Sequence, residues 1–394
     1  MEKGKLKSAS ISNKLHSVPI PHPLPDTHSA EFAYLCASMA WLEGKTANKI
    51  AHDIFPNGKA KELMAVKHAL KRAHGNNTLR LVPPIESKLR DDLEQAVHRP
   101  EDTRRISFHV VTEAKHAGLA GESGVPRAGI YAKAAELAAL YIMNAARRRL
   151  DEVRAAKGGG DARIQAGDVV ICNAGGRTVT ETVKAMVRNP PVFDASDEDQ
   201  VLLRKSLMFV AANAGYHPER FQHSANFLSV TLGELMEASH FALPRMEVRE
   251  LAERHKAYVE KTALFICGAG VCNSGQVSGL MAEYFDQTKP TVPSEAVGDV
   301  AFNLIDKHGH GIDLTEPEFA IIRHLNPTLD LATLSHIANT QRVLLVLDST
   351  NPIQKADVAI AIIKRRYATD IVLGRRLAIE ILNRLKSEAA QAPH

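Results

Sequence analysis

Four short segments of this chain carry residues suited to holding an anion, and each lies where an apolar run gives way to a turn or a helix start. In "GDVVICNAGGRTVTET" the run 169–172 ends at Gly175 and Gly176, and Arg177, Thr178 and Thr180 follow. Two backbone N–H groups, a guanidinium and two hydroxyls are donor types that suit phosphate oxygens. A helix opening there adds its free amides and the positive end of its dipole. "CGAGVCNSG" offers Gly268, Gly270 and Ser274, and "EAVGDV" offers Glu295 and Asp299, carboxylates able to accept from sugar hydroxyls. "DSTNPIQKADVAI" offers Ser349, Thr350 and Lys355 at a further helix start. Arg177 can grip a phosphate with two parallel bonds, whereas Lys355 acts as a point charge. Together the set predicts a site for a small phosphorylated metabolite, a sugar phosphate first among them. Each member also has a plainer reading. Glycines after a strand serve tight turns, a lone lysine is commonly a surface residue, and Asp299 could cap a helix or pair with an arginine. The Gly-Ala-Gly lacks the spacing of a dinucleotide site. The 18 histidines include no HExxH, and His308 and His310 of "DKHGHG" fall in a predicted turn, so no metal or cofactor is expected.

The elements that must position these residues are legible from about residue 100 onward. Runs of four to eight apolar residues ("ISFHVV", "DVVIC", "SLMFVAA", "ALFICGAG", "VAFNLID", "RVLLVLD", "DIVLG") alternate with helical stretches. Their near-continuous Val, Ile, Leu and Phe content predicts strands buried on both faces, as in a parallel sheet flanked by helices. The expected fold class is α/β, with one doubly wound domain over residues 99–394, and ligands in such sheets sit beyond the carboxyl ends of the strands. "ARRRLDEVRAAKGGGDARIQAGD" reads as a helix extension followed by a Gly-rich turn.

The first hundred residues have another texture. Residues 1–27 are Pro-rich without hydrophobic periodicity and read as a flexible arm. Residues 28–98 read as a helix-turn-helix domain. "SAEFAYLCASMAWLEGK" places Phe32, Leu35, Met39 and Leu42 on one helical face, "TANKIAHDIF" is a short second helix, and "FPNG" breaks the chain. "KAKELMAVKHALKRAHGN" follows as a basic third helix, and "NTLRLVPP" reads as a strand, the wing of a winged helix-turn-helix. Lys45, Asn57, Lys59, Lys61, Lys67 and Lys71 are the residues expected at DNA, since a groove-bound helix needs cations for phosphates and polar side chains for base edges. A small helical bundle mediating oligomer contacts is the alternative.

Charge agrees with this division. Of the formal +4, residues 1–90 hold 11 Lys and 3 Arg against 7 Asp and Glu, so the remainder is slightly acidic. A basic first quarter suggests a polyanionic partner. At 394 residues two domains are expected. The start "MEKGKLKSASISNKL" lacks an apolar core for a signal peptide, and residues 132–146 are interrupted by Glu136 and Asn144, so no membrane span is expected. Cys36, Cys172, Cys267 and Cys272 form no CxxC pair, which fits a reducing, cytoplasmic setting.

Read in order, the segments resemble the SorC-type (DeoR/SorC) family of sugar-binding transcriptional regulators, from about Phe32 to Leu382. "GDVVICNAGGRTVTETVKAM" is similar to that family's strand and Gly-Arg-Thr phosphate loop, and "AVGDVAFNLIDKHG" to its Gly-Asp segment. "RVLLVLDSTNPIQKADVAIAIIKRRYATDIVLGRRLAIEIL" is similar to its penultimate strand, Lys-containing helix and last strand-helix pair. The resemblance implies an effector domain related to sugar-phosphate isomerases, operator DNA as partner, and assembly as a homodimer or homotetramer. Where the family has "Thr-Asp-Glu" this chain has "LGRR", and Arg375 and Arg376 would suit a more anionic effector. The rival reading is a sugar-phosphate isomerase-like enzyme, with Glu295 or Asp299 as general base and Arg177 and Lys355 holding phosphate. The basic helical N-terminus favours the regulator.

Overall fold

The alternation of apolar runs with helical stretches does build a parallel sheet. The computed structural model describes residues 24–28, 32, 35–36, 39, 47–56, 58, 60–75, 86–98, 102, 104–111, 128–158, 163–188, 198–214, 218–243, 249–273, 276–277, 292–314, 329–347 and 352–391. The chain divides into two compact units, Met1–Val82 and Pro83–His394.

In the first unit Phe32, Leu35, Cys36 and Met39 are helical and recur at three- and four-residue steps. That face is buried with Ile50, Ala51 and Ile54 of α1 (Ala47–Ile54) and Val66 and Ala69 of α2 (Ala60–Gly75). Between α1 and α2 the Gly58 N–H donates to the Phe55 carbonyl at 2.8 Å. A Cβ on Gly58 would sit 2.8 Å from that of Phe55, so the turn requires glycine. The described residues here thus include two helices, α1 and α2, with a turn between them. The strand expected over "NTLRLVPP" lies outside the described residues.

The second unit runs α3 (Ser87–Val97), β1 (Ser107–Val111), α4 (Ala128–Ala156), β2 (Val169–Asn173), α5 (Arg177–Arg188), α6 (Glu198–Ser206) and β3 (Leu207–Ala211). A short 3₁₀ turn (Pro218–His223), α7 (Ala225–Met236), β4 (Ser239–Phe241), α8 (Arg249–Glu260), β5 (Thr262–Cys267), β6 (Ala269–Asn273) and β7 (Gln276–Val277) follow. β8 (Ala296–Val300), β9 (Asn303–Asp306), α9 (Leu331–Thr340), β10 (Arg342–Leu347), α10 (Pro352–Arg365), β11 (Asp370–Gly374) and α11 (Arg375–Gln391) complete it. The main sheet has the order β1-β11-β10-β5-β2-β3-β4 with every neighbouring pair parallel.

Alternate strand residues feed opposite cores, as period-two side chains must. Val170, Cys172, Phe265, Leu345 and Ile371 face α9, α10 and α11, whereas Val169, Ile171, Leu264, Val346 and Val372 face α4, α5 and α7. Burying each Phe, Leu or Ile side chain of these layers contributes about 1.5–3 kcal/mol. The doubly wound α/β architecture is therefore present.

Three expectations need correction. Helix α3, placed at the end of the DNA-binding region, belongs to the second unit. Its Leu93 is buried in the same core as Phe108, and the Glu94 carboxylate accepts the Phe108 N–H at 3.1 Å. "ALFICGAG" is not one strand: it breaks at Gly268, and β6 leaves for a separate four-stranded antiparallel sheet of order β7-β6-β8-β9. "VAFNLID" likewise folds on itself at Ala301 and Phe302, so β8 and β9 form a hairpin with Val300 opposite Asn303.

Candidate functional site

The main sheet reverses direction between β2 and β5. From β2 the chain winds outward to β3 and β4, and from β5 it winds the other way to β10 and β11. Connections leaving the carboxyl ends of β2 and β5 therefore diverge, and the crevice between them is where open α/β sheets bind ligands. Gly175, Gly176, Arg177 and Thr178 leave β2 here, and Gly268 leaves β5. The two segments touch: a Cβ on Gly268 would lie 2.3 Å from Thr178 Oγ1 and 3.7 Å from the Val346 carbonyl at the end of β10. Only glycine lets the β5 exit pass beneath that hydroxyl.

One residue on, the Ala269 carbonyl accepts a hydrogen bond from Lys355 Nζ, which reaches over from the first turn of α10. Gly270 then pairs across the small sheet with Asp299, and the Gly270 and Phe302 N–H groups donate to the Asp299 carboxylate. Thr178, Gly268, Lys355, Gly270 and Asp299 are thus brought to one place by the route β5 takes into β6. Close approach again demands glycine at 298, where a Cβ would fall 2.4 Å from the Gly270 carbonyl and 2.5 Å from a Val358 methyl.

Lys355 and Asp299 are both buried, each 8% exposed. Burial pushes the Asp299 carboxyl up to about 6, against the opposing pull of the Lys355 ammonium and the two backbone donors. The turn that aims the Phe302 N–H is itself strained. Ala301 and Phe302 have φ of 48° and 65°, left-handed values that cost a non-glycine residue roughly 1–2 kcal/mol each. Asn303 Nδ2 holds the turn by donating to the Ala301 carbonyl at 3.1 Å and the Leu329 carbonyl at 3.0 Å.

The structure redistributes the roles assigned from sequence. Gly176 does take a positive φ, 114°, but its N–H donates to the His223 carbonyl at 2.8 Å and is not offered to a ligand. The Thr180 hydroxyl also turns inward, donating to the Gly176 carbonyl at 2.9 Å and meeting His223 Nδ1 at 2.8 Å. These groups shape the loop. Arg177 is exposed at the start of α5 and makes no hydrogen bond or ion pair with a described residue, and Thr178 is half-buried. Lys355, expected as an outward point charge, is instead turned inward to the Ala269 carbonyl, because α10 packs its Ala356, Val358 and Ala359 into the core and carries the lysine in with them. Glu295 is exposed in the turn before β8. Arg375, a candidate for added positive charge, pairs with Glu86 at 3.2 Å. Asp306 collects the His308 and His310 N–H groups at 2.8 Å each, so "DKHGHG" is a turn as expected. Among the described residues no group of three or more His, Cys, Asp and Glu could hold a metal ion. Ser274, Ser349 and Thr350 lie outside the described residues.

Two asparagines escaped the sequence reading. Asn173 ends β2 fully buried, with Nδ2 donating to the Ala225 carbonyl at 3.1 Å and Oδ1 accepting from Ser229 at 2.7 Å. Asn213, just past β3, is fully buried with neither side-chain polar atom hydrogen-bonded. The signal for them was the recurrence of Asn-Ala-Gly at 173–175 and 213–215, after two adjacent strands.

In the first unit Lys61 and Lys67 are exposed on α2, on a stripe that includes His68 and the 48%-exposed Met64. Val66 and Ala69 face the core on the other side. Lys71 belongs to α2, but its side chain lies outside the described residues, as do Lys45, Asn57 and Lys59. No helix among the described residues is long and apolar enough to cross a membrane.

No protein-family model and no curated protein matches this sequence. Solved structures do. A transcriptional regulator from Streptococcus pneumoniae TIGR4 is 11% identical, with 76% of this chain and 97% of that chain covered at a TM-score of 0.50. The full-length sorbitol operon regulator SorC from Klebsiella pneumoniae is 13% identical over 90% of this chain and 99% of its own, at 0.49. A DeoR family transcriptional regulator from Listeria monocytogenes is 15% identical over 75% and 98%, at 0.46. At such identities the likeness is one of fold.

Proposed function

We propose that this protein is a DNA-binding transcriptional regulator of the SorC type, and that a small phosphorylated sugar or related anionic metabolite controls its operator binding. The observation that carries the reading is the convergence of Thr178, Gly268, Lys355, Gly270 and Asp299 at the crevice where the sheet reverses, with exposed Arg177 at the helix start beside them. Arg177 and the first amides of α5 hold the phosphate. Thr178 and Asp299 address hydroxyls, and Lys355 keeps Asp299 in place and ionised. The fold shared with a transcriptional regulator supports the same reading, as does the exposed basic stripe of α2. One helix-turn-helix reads few bases, so the active form is a homodimer or homotetramer on paired half-sites. Such a protein works in the cytoplasm.

For the effector to act as a switch it must bind two arrangements of the protein with different affinity. The test is selection of bound fragments from genomic DNA, with and without a panel of phosphorylated sugars, for the parent chain and Arg177→Ala. A charged group on a phosphate is worth roughly 2–5 kcal/mol, so the variant should lose the effector response by orders of magnitude while still binding its fragments. Selection of no DNA under any condition sinks the regulator reading. A second reading draws on Asp299, a buried acid pushed up to about 6, which could serve as a general base in sugar-phosphate isomerisation. Turnover of a sugar phosphate by the parent chain, abolished in Asp299→Asn, would select it.

A further inference from the structure

At the opposite ends of the same strands lies a second concentration of charge. Ser107, Arg342 and Asp370 begin β1, β10 and β11, and with the middle of α4 they enclose a cavity of about 290 Å³. Among the described residues five guanidiniums line it, from Arg104, Arg105, Arg148, Arg149 and Arg342, against the carboxylates of Glu152 and Asp370. Several have structural partners. Arg104 donates to the Ala338 carbonyl at 2.8 Å and the Gln341 carbonyl at 2.7 Å, closing the end of α9. Arg342 lies 3.8 Å from Asp370 and donates to the Tyr141 hydroxyl, while Arg149 pairs with Glu152 at 2.9 Å. Setting those two pairs aside, three positive charges of this lining remain without a carboxylate among the described residues. Arg105 and Arg148 are exposed and form no hydrogen bond or ion pair with a described residue. Arg149 Nε is buried with no hydrogen-bond partner.

Like charges gathered in a concave, low-dielectric wall repel one another and focus a positive field into the space between them, an arrangement an anion relieves. Guanidiniums present planar pairs of donors matched to phosphate and carboxylate oxygens. The size is informative, because small-molecule pockets run from about 300 to 1,000 Å³, and this one sits at the bottom of that range. It is a half-open hollow rather than a ridge, which suits a compact ligand better than a polymer backbone.

We propose that this cavity, formed by Arg105, Arg148 and Arg149 at the amino ends of β1, β10 and β11, binds a small phosphate-bearing anion carrying at least two negative charges. It is distinct from the crevice at the carboxyl ends and does not depend on the regulator reading. Calorimetric titration of the full chain with inorganic pyrophosphate at low ionic strength tests it. One pyrophosphate should bind per chain, at least about tenfold more weakly in Arg105→Ala and in Arg148→Ala, and with parent affinity in Arg177→Ala. Both substituted arginines are exposed, and thermal melting gives a second readout: pyrophosphate should raise the Tm of the parent and of Arg177→Ala but not of the other two. Absence of binding to the parent chain overturns the proposal. So does parent-like affinity in both Arg105→Ala and Arg148→Ala, or loss of binding in Arg177→Ala, which would place the anion at the other end of the sheet.

Discussion

Replacing Lys355 by methionine keeps the length and apolar stem of the side chain and removes its charge. In the parent, Nζ donates to the Ala269 carbonyl, and its positive charge favours the ionised form of the buried Asp299 carboxylate. Asp299 has a folded-state pKa of about 6 against an ordinary 3.8, so the folded chain holds a proton that the unfolded chain releases. Stability contributed at this site therefore falls as pH rises from about 4 to 6 and levels off above. At ~1.4 kcal/mol per pKa unit the fall is roughly 3 kcal/mol. Without the ammonium the folded pKa moves higher still, and the fall continues to higher pH. At pH 5 Asp299 is mostly protonated in both proteins, so the charge contributes little there, and loss of the Ala269 hydrogen bond costs about 1 kcal/mol at either pH. At pH 8 the variant must bury the carboxylate without the ammonium's field or protonate it, so its loss should exceed that at pH 5. Urea unfolding followed by far-UV circular dichroism at the two pH values measures the difference, and Asp299→Asn in the Lys355→Met background should flatten it. A loss equal at pH 5 and pH 8, or one that Asp299→Asn leaves pH-dependent, would refute the electrostatic coupling of these two residues.

Gly298→Ala should destabilise the second unit by about 1–3 kcal/mol or more, because the new methyl meets a backbone carbonyl at 2.4 Å that cannot step aside; a thermal melt with unchanged Tm would contradict the packing described. Changing Lys59, Lys61 and Lys67 together to alanine should weaken operator binding and make it less sensitive to salt. The slope of log affinity against log salt concentration should fall by about one unit for each phosphate no longer neutralised. An unchanged slope would remove these lysines from the DNA.

How much of this was legible in sequence differs by segment, for physical reasons. "DVVIC" and "RVLLVLD" were readable as central strands because both faces are covered, so apolar residues run without alternation. "VAFNLID" has the same texture and misled: its hairpin turn falls on Ala301 and Phe302, with none of the Gly or Asn that normally punctuates such turns. β4, three residues with an exposed histidine at its centre, lacks the composition of a strand and was invisible. The loop at Gly175–Thr178 was recognisable as a turn before a helix. Which of its donors stay available was not, since that depends on His223, a residue far along the chain that reaches back to Gly176 and Thr180. Lys355 shows the same limit. Its place at a helix start is written locally, but the direction of its side chain follows from which face of α10 is buried.

The pairing of β1 with β11 also bears on the order in which the molecule can be made. Ser107 lies beside Asp370, and among the described residues the edge strand β1 pairs with no other strand. Those residues are roughly 260 positions apart, and at about 5–20 residues per second a ribosome needs some tens of seconds to pass from one to the other. Throughout that interval β1 waits without its β11 partner, while β2 and β3, with α5 and α6 between them, can already zip together. A nascent chain stalled before β11 would hold most of a sheet and an unpaired sticky strand, the species on which a holding chaperone or an aggregation event would act. Closure of this domain thus waits on a single strand, β11, made long after the strand it covers.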